Sequence, residues 1–441
     1  MASTYLDKTL STPTNNKIYT FSAWVKRSGT EYNVMLNAGS SRDCFRFRGD
    51  NDRLHFFTNE ATTGGLATNR VFRDKNAFYH LVLAVDTTQA TASDRVKIYV
   101  NGVQETSFAV TNYPAQNYTN VINSAVNHRI GKASNVYDEY FDGIMSHIHF
   151  IDGTAYAASA FGEYDANGVW KAKTSPSVTY GNNGFFILKD SASVTDQSGN
   201  GNNFTVGGGT LTDTLDCSAN VFCTWNPLTN MNASATFSNG NNTVFFNNTN
   251  ERHILATLGM NSGKFYWESK LVSHSGDSLA KVGIESSLHN DAGGYAVDSY
   301  GYRGEGGGSG DPSSGRKVNN GTFTNWGSSY TAGDIIGCAV DLDNNKIYFS
   351  KNGTWQESGD PTSGATGTGS AFDLIAPVSG FYHPSIGKEA SSTATWSMNF
   401  GNGYFGTTAV ASAGTNASGI GIFEYDVPTG YTALSTKGLN L

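Results

Sequence analysis

The chain is 441 residues long, with 29 Lys and Arg against 37 Asp and Glu, a net charge of −8 and only 15% charged residues. That length favours two or three domains. Net acidity without any basic run argues against a nucleic-acid partner, because phosphate binding needs clustered Lys or Arg. Gly numbers 51 and Asn 43, against 12 Glu, and aromatic residues reach 12%. Such a composition disfavours helices and favours strands joined by tight turns, so an all-β protein is expected.

Strand patterns begin early. Ile18 to Lys26 and Cys44-Phe45-Arg46-Phe47-Arg48 alternate apolar and polar residues, and Leu54-His55-Phe56-Phe57 follows the turn at 49–52. Tyr79 to Val85 is nearly continuous in apolar residues, as in a strand covered on both faces. Val96 to Val100 ends at Asn101-Gly102, a hairpin dipeptide. Ile144 to Phe150 reads as another strand, and Ala155 to Phe161 as the one short helix of this half. Residues 162–220 are rich in Gly, Asn, Ser and Thr and read as a domain tail grading into a connector. A second run of strands takes in Thr243–Phe246, Gly263–Glu268, Ala280–Ile284, Asp334–Val340, Lys346–Ser350 and Thr395–Phe400, with a glycine-rich loop at 304–315. Many short strands between Gly and Asn turns describe antiparallel sandwiches, and two of roughly 200 residues fit the length.

No signal-like apolar stretch opens the sequence, and no window approaches the roughly 18 apolar residues of a membrane span, so membrane insertion is not expected. Cys44, Cys217, Cys223 and Cys338 form no CxxC pair and read as buried reduced thiols made in a cytoplasm, with a Cys217–Cys223 bridge as the alternative.

Specific motifs resemble two families. Phe78 to Asp86 followed by Val96 to Val103 is similar to the central hairpin of laminin-G/concanavalin-like domains. His128-Arg129-Ile130-Gly131 and Phe141 to Met145 resemble that family's closing strands. Ser262 to Glu268, Val282-Gly283-Ile284, and above all Gly333 to Asp343 running on to Phe349-Ser350-Lys351-Asn352-Gly353 resemble SPRY domains. The expected organisation is a concanavalin/laminin-G-like jelly roll over 1–206, a connector over 207–221 and a SPRY-like sandwich over 222–441. That order, joined through Asn220 to Leu228, resembles virion proteins of marine tailed bacteriophages. The resemblance implies a non-enzymatic virion-surface protein, a tail or fibre adhesin recognising a host-surface glycan or protein. Capsid decoration against neighbouring virion proteins is the alternative, and a polysaccharide-degrading enzyme the second. Assembly as a homo-oligomer on a tail appendage or capsid exterior is implied, after synthesis in the host cytoplasm. The first domain begins close to Met1 without coiled coil or collagen-like repeat, which argues against a fibre shaft.

Catalytic patterns are sparse. The sandwich glucanases use Glu-x-Asp-x-x-Glu, whereas Glu163-Tyr164-Asp165 is followed by Gly168 where the second Glu should stand. No Gly-x-Ser-x-Gly elbow precedes a helix. His147 and His149, two apart on one strand, have a spacing that metals accept, with a polar sheet face as the other reading. Asp196, Ser198 and Asn200 imitate the start of a calcium loop, but the twelfth position is Gly207. No cofactor is expected, and a surface Ca²⁺ at Asp196 and Asn200 is the open alternative. Sugars pack their CH faces on aromatic rings and bond Asn, Asp and backbone amides, which points to loops rich in Tyr, Trp, Asn and Gly. The candidate ligand-binding residues are therefore Tyr113, Tyr118, Tyr137, Asp138, Tyr140, Trp326 and Tyr330, while Tyr300 and Tyr302 are expected to be framework.

Overall fold

The computed structural model describes residues 3–29, 32–40, 43–58, 64–134, 138–230, 235–247, 252–275, 280–289, 293–304, 314–388 and 393–441. The chain divides into two compact units, Met1–Asp213 with Cys217–Ala219, and Thr214–Asp216 with Asn220–Leu441. Among the described residues every regular element is a strand or a single 3-10 turn, and the strands pair almost entirely antiparallel.

The first unit contains strands β1 (Tyr5–Thr9), β2 (Ile18–Arg27), β3 (Asn33–Ala38), β4 (Cys44–Phe47), β5 (Arg53–Thr58), β6 (Gly64–Val71), β7 (Tyr79–Asp86), β8 (Val96–Val100), β9 (Val103–Gln104), β10 (Phe108–Asn112), β11 (Asn127–Ile130), β12 (Gly143–Asp152), β13 (Gly162–Tyr164), β14 (Trp170–Ala172), β15 (Phe185–Ile187) and β16 (Thr205–Gly208). They build an eight-stranded sheet, β10-β6-β5-β4-β3-β11-β1-β16, a six-stranded sheet, β15-β12-β2-β7-β8-β9, and the separate pair β13-β14. Alternation decides which side chains meet between the two larger sheets. Tyr19, Phe21, Ala23 and Val25 of β2 and Leu81, Leu83 and Val85 of β7 enter one core with Phe45, Phe47, Leu54 and Phe56 of the other sheet.

The outer face of the six-stranded sheet is also covered, which explains the unbroken apolar run of β7. Val82 and Ile151 pack there against Phe161, with Tyr156, Trp170 and Tyr180 alongside. Trp170 reaches this position because Gly102 and Gly162 carry no Cβ; one added at either would lie 2.7 or 2.4 Å from the indole ring. Asn101 and Gly102 both take positive φ, as a tight hairpin between β8 and β9 requires. The expected helix over 155–161 is only the 3-10 turn Ala158–Ala160.

The second unit adds β17 (Ala235–Ser238), β18 (Thr243–Phe246), β19 (Arg252–Leu255), β20 (Lys264–Ser275), β21 (Lys281–Glu285), β22 (Ser299–Arg303), β23 (Ser314–Asn319), β24 (Thr322–Ser328), β25 (Ile335–Asp341), β26 (Lys346–Lys351), β27 (Thr354–Trp355), β28 (Phe372–Asp373), β29 (His383–Lys388), β30 (Thr393–Asn399), β31 (Tyr404–Phe405), β32 (Thr408–Ala409) and β33 (Thr432–Ala433). One sheet runs β17-β18-β30-β20-β25-β26-β27, with β28 on β26 and β33 parallel to β20; a second runs β19-β29-β21-β22-β23-β24, and β31 pairs with β32 apart from both. Trp225, Trp267, Trp396, Tyr302 and Phe400 fill the space between the two larger sheets. None of the four cysteines forms a disulfide; Cys44, Cys223 and Cys338 are buried, whereas Cys217 is exposed, contrary to the expectation of four buried thiols.

Candidate functional site

Because Phe45 and Phe47 of β4 point into the core, Cys44 and Arg46 point out of the eight-stranded sheet. Leu54 and Phe56 of β5 force His55 and Phe57 outward in the same way. The antiparallel register sets Arg46 opposite His55 and Cys44 opposite Phe57. The Arg46 guanidinium lies between two aromatic faces, 4.6 Å from the Tyr32 centroid and 5.1 Å from that of Phe57, and its Nη1 donates to Glu139. Its Nε is buried with no hydrogen-bond partner among the described residues. His55 is 3% exposed, its ring stacked 5.1 Å from that of Phe57, and neither ring nitrogen has a partner among those residues. Burial, reinforced by Arg48 and Arg46, pushes its pKa down to about 3. At neutral pH the ring is therefore uncharged, with one N–H and one lone pair to offer. Beside it Arg48 is held by both oxygens of Asp50.

Farther along the same face Lys132 sits 4.6 Å from the Tyr5 ring and 4.9 Å from the Tyr140 ring, the two rings 6.2 Å apart. A backbone bridge between Lys132 and Tyr140 fixes this arrangement, and Arg129 pairs with Asp7 next to it. The face is thus a ladder of cations clasped by aromatic rings. Each such contact contributes roughly 0.5–2 kcal/mol and presents rigid, amphipathic area to a ligand.

The residues singled out from the sequence fall into three groups. Tyr140, which is half-buried, lies on this face; Asp138 is exposed, two residues before it in the chain, and Tyr137 lies outside the described residues. Tyr113 and Tyr118 are half-buried on a separate loop, where Tyr113 packs on the core and the Tyr118 carbonyl accepts from Thr87. Trp326 and Tyr330 are core residues, not loop contacts. Trp326 belongs to β24, is 8% exposed and meets Tyr302 edge-on at 5.2 Å. Tyr330 is 1% exposed, and its hydroxyl donates to the carbonyls of Ala280 and Tyr302, both at 2.9 Å. Tyr300 and Tyr302 are framework as expected, both buried in the same core. The sequence reading missed Tyr5, Tyr32, Arg46, His55, Phe57 and Lys132. The signal for two of them was present, since alternation in 44–48 and 54–57 already placed Arg46 and His55 off the core.

The chemistry-bearing patterns have local structural explanations. His80 Nδ1 accepts from Trp170 Nε1–H at 3.0 Å, so Nε2 carries the proton and faces Ser22 Oγ at 2.9 Å. That is the reverse of what a general base must do to a serine hydroxyl, and burial pushes His80 down to about 3. Glu163 lies 3.8 Å from Lys171, and Asp165 caps a turn through the amides of Asn167 and Val169. His147 and His149 both lie against the Phe186 ring, His147 at 6.0 Å, although β12 carries a register irregularity between Ser146 and His149 and His147 has φ +48°; among the described residues no third ligand joins them. His149 stacks on Phe186 at 3.9 Å and shares a hydrogen bond with the Tyr180 hydroxyl. The Asp196 carboxylate accepts from the amides of Phe186, Ser198 and Asn202 and from the Ser198 hydroxyl. Asn200 donates its amide to the carbonyls of Gly181 and Gly184. The calcium-like pattern is thus a self-saturated turn, and among the described residues no three His, Cys, Asp or Glu are grouped to hold a metal.

The second unit exposes an apolar rim. Val378 is 73% exposed and Val297, Ile375 and Phe381 are exposed with it. The rim is held in place from beneath: Asp298 accepts from the Val378 amide, Ser286 from the Ser379 amide, and the Ile375 carbonyl from Tyr382. Deeper, the fully buried Glu268 accepts from Tyr266, Asn399 and the amides of Glu424 and Tyr425, tying the C-terminal segment to β20.

Residues 2–159 match the concanavalin A-like lectin/glucanases superfamily, and residues 264–385 match the SPRY domain. The chain therefore carries a laminin-G/concanavalin-like domain followed by a SPRY domain. Among curated proteins, the ATP-dependent RNA helicase DDX1 of Xenopus laevis is 39% identical over 101 residues, 22% of this chain and 12% of that protein. Ran-binding protein 9 of Homo sapiens is 36% identical over 93 residues, 21% of this chain and 12% of that protein. The chain thus spans about an eighth of the length of these relatives. Among solved structures, the SPRY domain of human HERC1 is 22% identical, with a TM-score of 0.29 over 37% of this chain and 91% of that one.

Proposed function

We propose that this chain is a non-enzymatic, two-module binding protein of a virion surface, a tail or fibre adhesin. Its first unit takes a host glycan on the outer face of the eight-stranded sheet, and its SPRY unit takes a protein. The observation that carries the glycan reading is the ladder Tyr32–Arg46–Phe57 and Tyr5–Lys132–Tyr140, whose cations sit 4.6–5.1 Å from the ring centroids. Rings fixed in this way meet the CH faces of a sugar without losing rotamer freedom. The match to a lectin-containing superfamily supports the same reading. SPRY domains mediate protein–protein interactions, and the rim of Val297, Ile375, Val378 and Phe381 supplies the apolar area such contacts need. That rim also favours the second reading, capsid decoration, in which it seats against a neighbouring virion protein. The virion placement itself rests on the order of the two modules. Repetition on a particle then raises weak single sites by about 10²–10⁴ through avidity.

A glycan array probed with the purified chain, beside Tyr140→Ala and Lys132→Met, tests the first reading. Specific binding weakened about tenfold in both variants is expected, equivalent to loss of roughly 1.4 kcal/mol. Equal binding by all three proteins would remove the face from the account. Immunogold labelling of purified virions then separates the two placements: label at the tail vertex fits the adhesin, label over the capsid fits decoration, and no label refutes both. Release of reducing ends from any bound polysaccharide would overturn the non-enzymatic assignment.

A further inference from the structure

The most unusual feature of the sheet face is a polar side chain that the fold does not use. His55 is nine-tenths buried, yet both ring nitrogens lack partners among the described residues. Orphaned polar atoms of this kind cost about 1–3 kcal/mol each and are normally eliminated. Around the ring, Arg46 and Arg53 each have a buried Nε without a partner among those residues. Arg46 and Arg48 are partly neutralised by Glu139 and Asp50, which leaves Arg53 as the excess cation. Tyr32 and Phe57, both half-buried, flank this cluster and complete its walls.

We infer that this cluster is a subsite for a carboxylate-bearing saccharide of the uronic or sialic acid class. The inference rests on the glycan reading above and narrows it to acidic sugars. An uncharged imidazole offers one donor and one acceptor, and an acidic sugar supplies the complement of both. The ring N–H donates to a carboxylate oxygen, and the other ring nitrogen accepts from a sugar hydroxyl. The Arg46 Nε–H points to a second carboxylate oxygen, a charge-assisted contact in a partly desolvated setting. The hydroxyls of a neutral sugar can also accept from the ring N–H and the arginine Nε–H groups, but they bring no charge to the arginines, so the preference for an acidic sugar comes from the charge-assisted bond.

The test is isothermal titration calorimetry of the full chain with matched pairs: oligogalacturonide, oligoalginate and sialyllactose, each beside its carboxyl-reduced counterpart and a sulfated oligosaccharide. Binding of an acidic member, with its reduced counterpart weaker by about tenfold to a hundredfold, is expected from one charge-assisted bond. His55→Phe should lose that discrimination, and the His55 ring nitrogen resonances should move on binding in the parent protein. Should His55→Phe not fold, those resonances alone decide. Neutral and acidic members bound equally, sensitive to Tyr140→Ala but not to His55→Phe, would overturn the inference and leave the glycan reading standing. Preference for the sulfated member would overturn the carboxylate assignment. No binding by any member would overturn both.

Discussion

Glu268 offers the sharpest quantitative test of the second unit. The side chain is wholly buried on β20, and desolvation pushes its carboxyl up to about 7 against a solvent value of 4.5. The amides of Glu424 and Tyr425, the Asn399 side chain and the Tyr266 hydroxyl pull in the opposite direction without cancelling it. Since the folded pKa exceeds the unfolded one, the folded state holds the proton more tightly. The contribution is complete below pH 4.5 and is lost as pH rises through about 7. Each pKa unit corresponds to about 1.36 kcal/mol, so the loss is on the order of 3 kcal/mol across that window. Glu268→Gln removes the titration, and also an acceptor oxygen, so the variant is less stable at every pH but flat in this term. The assay is urea denaturation followed by tryptophan fluorescence at pH 4.5, 5.5, 6.5 and 7.5, subtracting variant from parent so that other titrations cancel. A parent-minus-variant stability that falls by about 2–4 kcal/mol from the lowest to the highest pH is expected. A difference constant to within about 1 kcal/mol, or one that rises with pH, would show that the four donors outweigh burial and that the carboxylate is ionised throughout.

Tyr330→Phe removes the donor to two buried carbonyls, and the second unit should lose about 1–3 kcal/mol in calorimetric unfolding. Glycan binding should be unchanged, because Tyr330 belongs to the core; weakened binding at full folding would contradict that placement. Asp196→Ala strips the acceptor from three amides and one hydroxyl and should destabilise the first unit by about 1–3 kcal/mol. The parent's melting temperature should be the same in millimolar Ca²⁺ and in EDTA, since those oxygens already have donors. A clear rise with Ca²⁺ would show that the turn opens to a cation.

What the sequence made legible was which side of a strand faces the core. Phe45 and Phe47 against Cys44 and Arg46, or the apolar run of β7, needed only a period of two and a knowledge of what covers each face. The Asn101-Gly102 turn was legible because its backbone demands residues tolerant of positive φ. What alternation does not reveal is what an outward residue meets. Arg46 takes Tyr32 from the preceding strand's approach and Glu139 from 93 positions away, and neither pairing leaves a local trace. The misreading of Trp326 and Tyr330 has the same origin. An aromatic in an Asn- and Gly-rich stretch looks like a loop tip, whereas Trp326 closes over Tyr302 and Phe349 and Tyr330 bonds a carbonyl 50 residues away. His147 and His149 do meet around the Phe186 ring, but the bulge between Ser146 and His149 and the aromatic neighbours that bury the pair leave no trace in a two-residue spacing.

If the sheet face is kept for binding, its orphaned atoms should be a burden on folding, and that burden is measurable. His55→Phe preserves the stack on Phe57 while deleting two unpartnered buried nitrogens, so the first unit should gain about 1–3 kcal/mol. The larger ring also risks overpacking, which costs about 1–3 kcal/mol when the neighbours cannot give. His55→Leu, smaller than Phe and equally apolar, separates the two effects. A site under functional constraint gives at least one apolar variant more stable than the parent in thermal unfolding, and both defective in binding. Should both variants lose stability by more than about 1 kcal/mol, the imidazole contributes to the fold itself. The ring would then be a structural residue whose solvent or backbone partner lies beyond the described contacts, and the case for the face would rest on the tyrosine–lysine end alone.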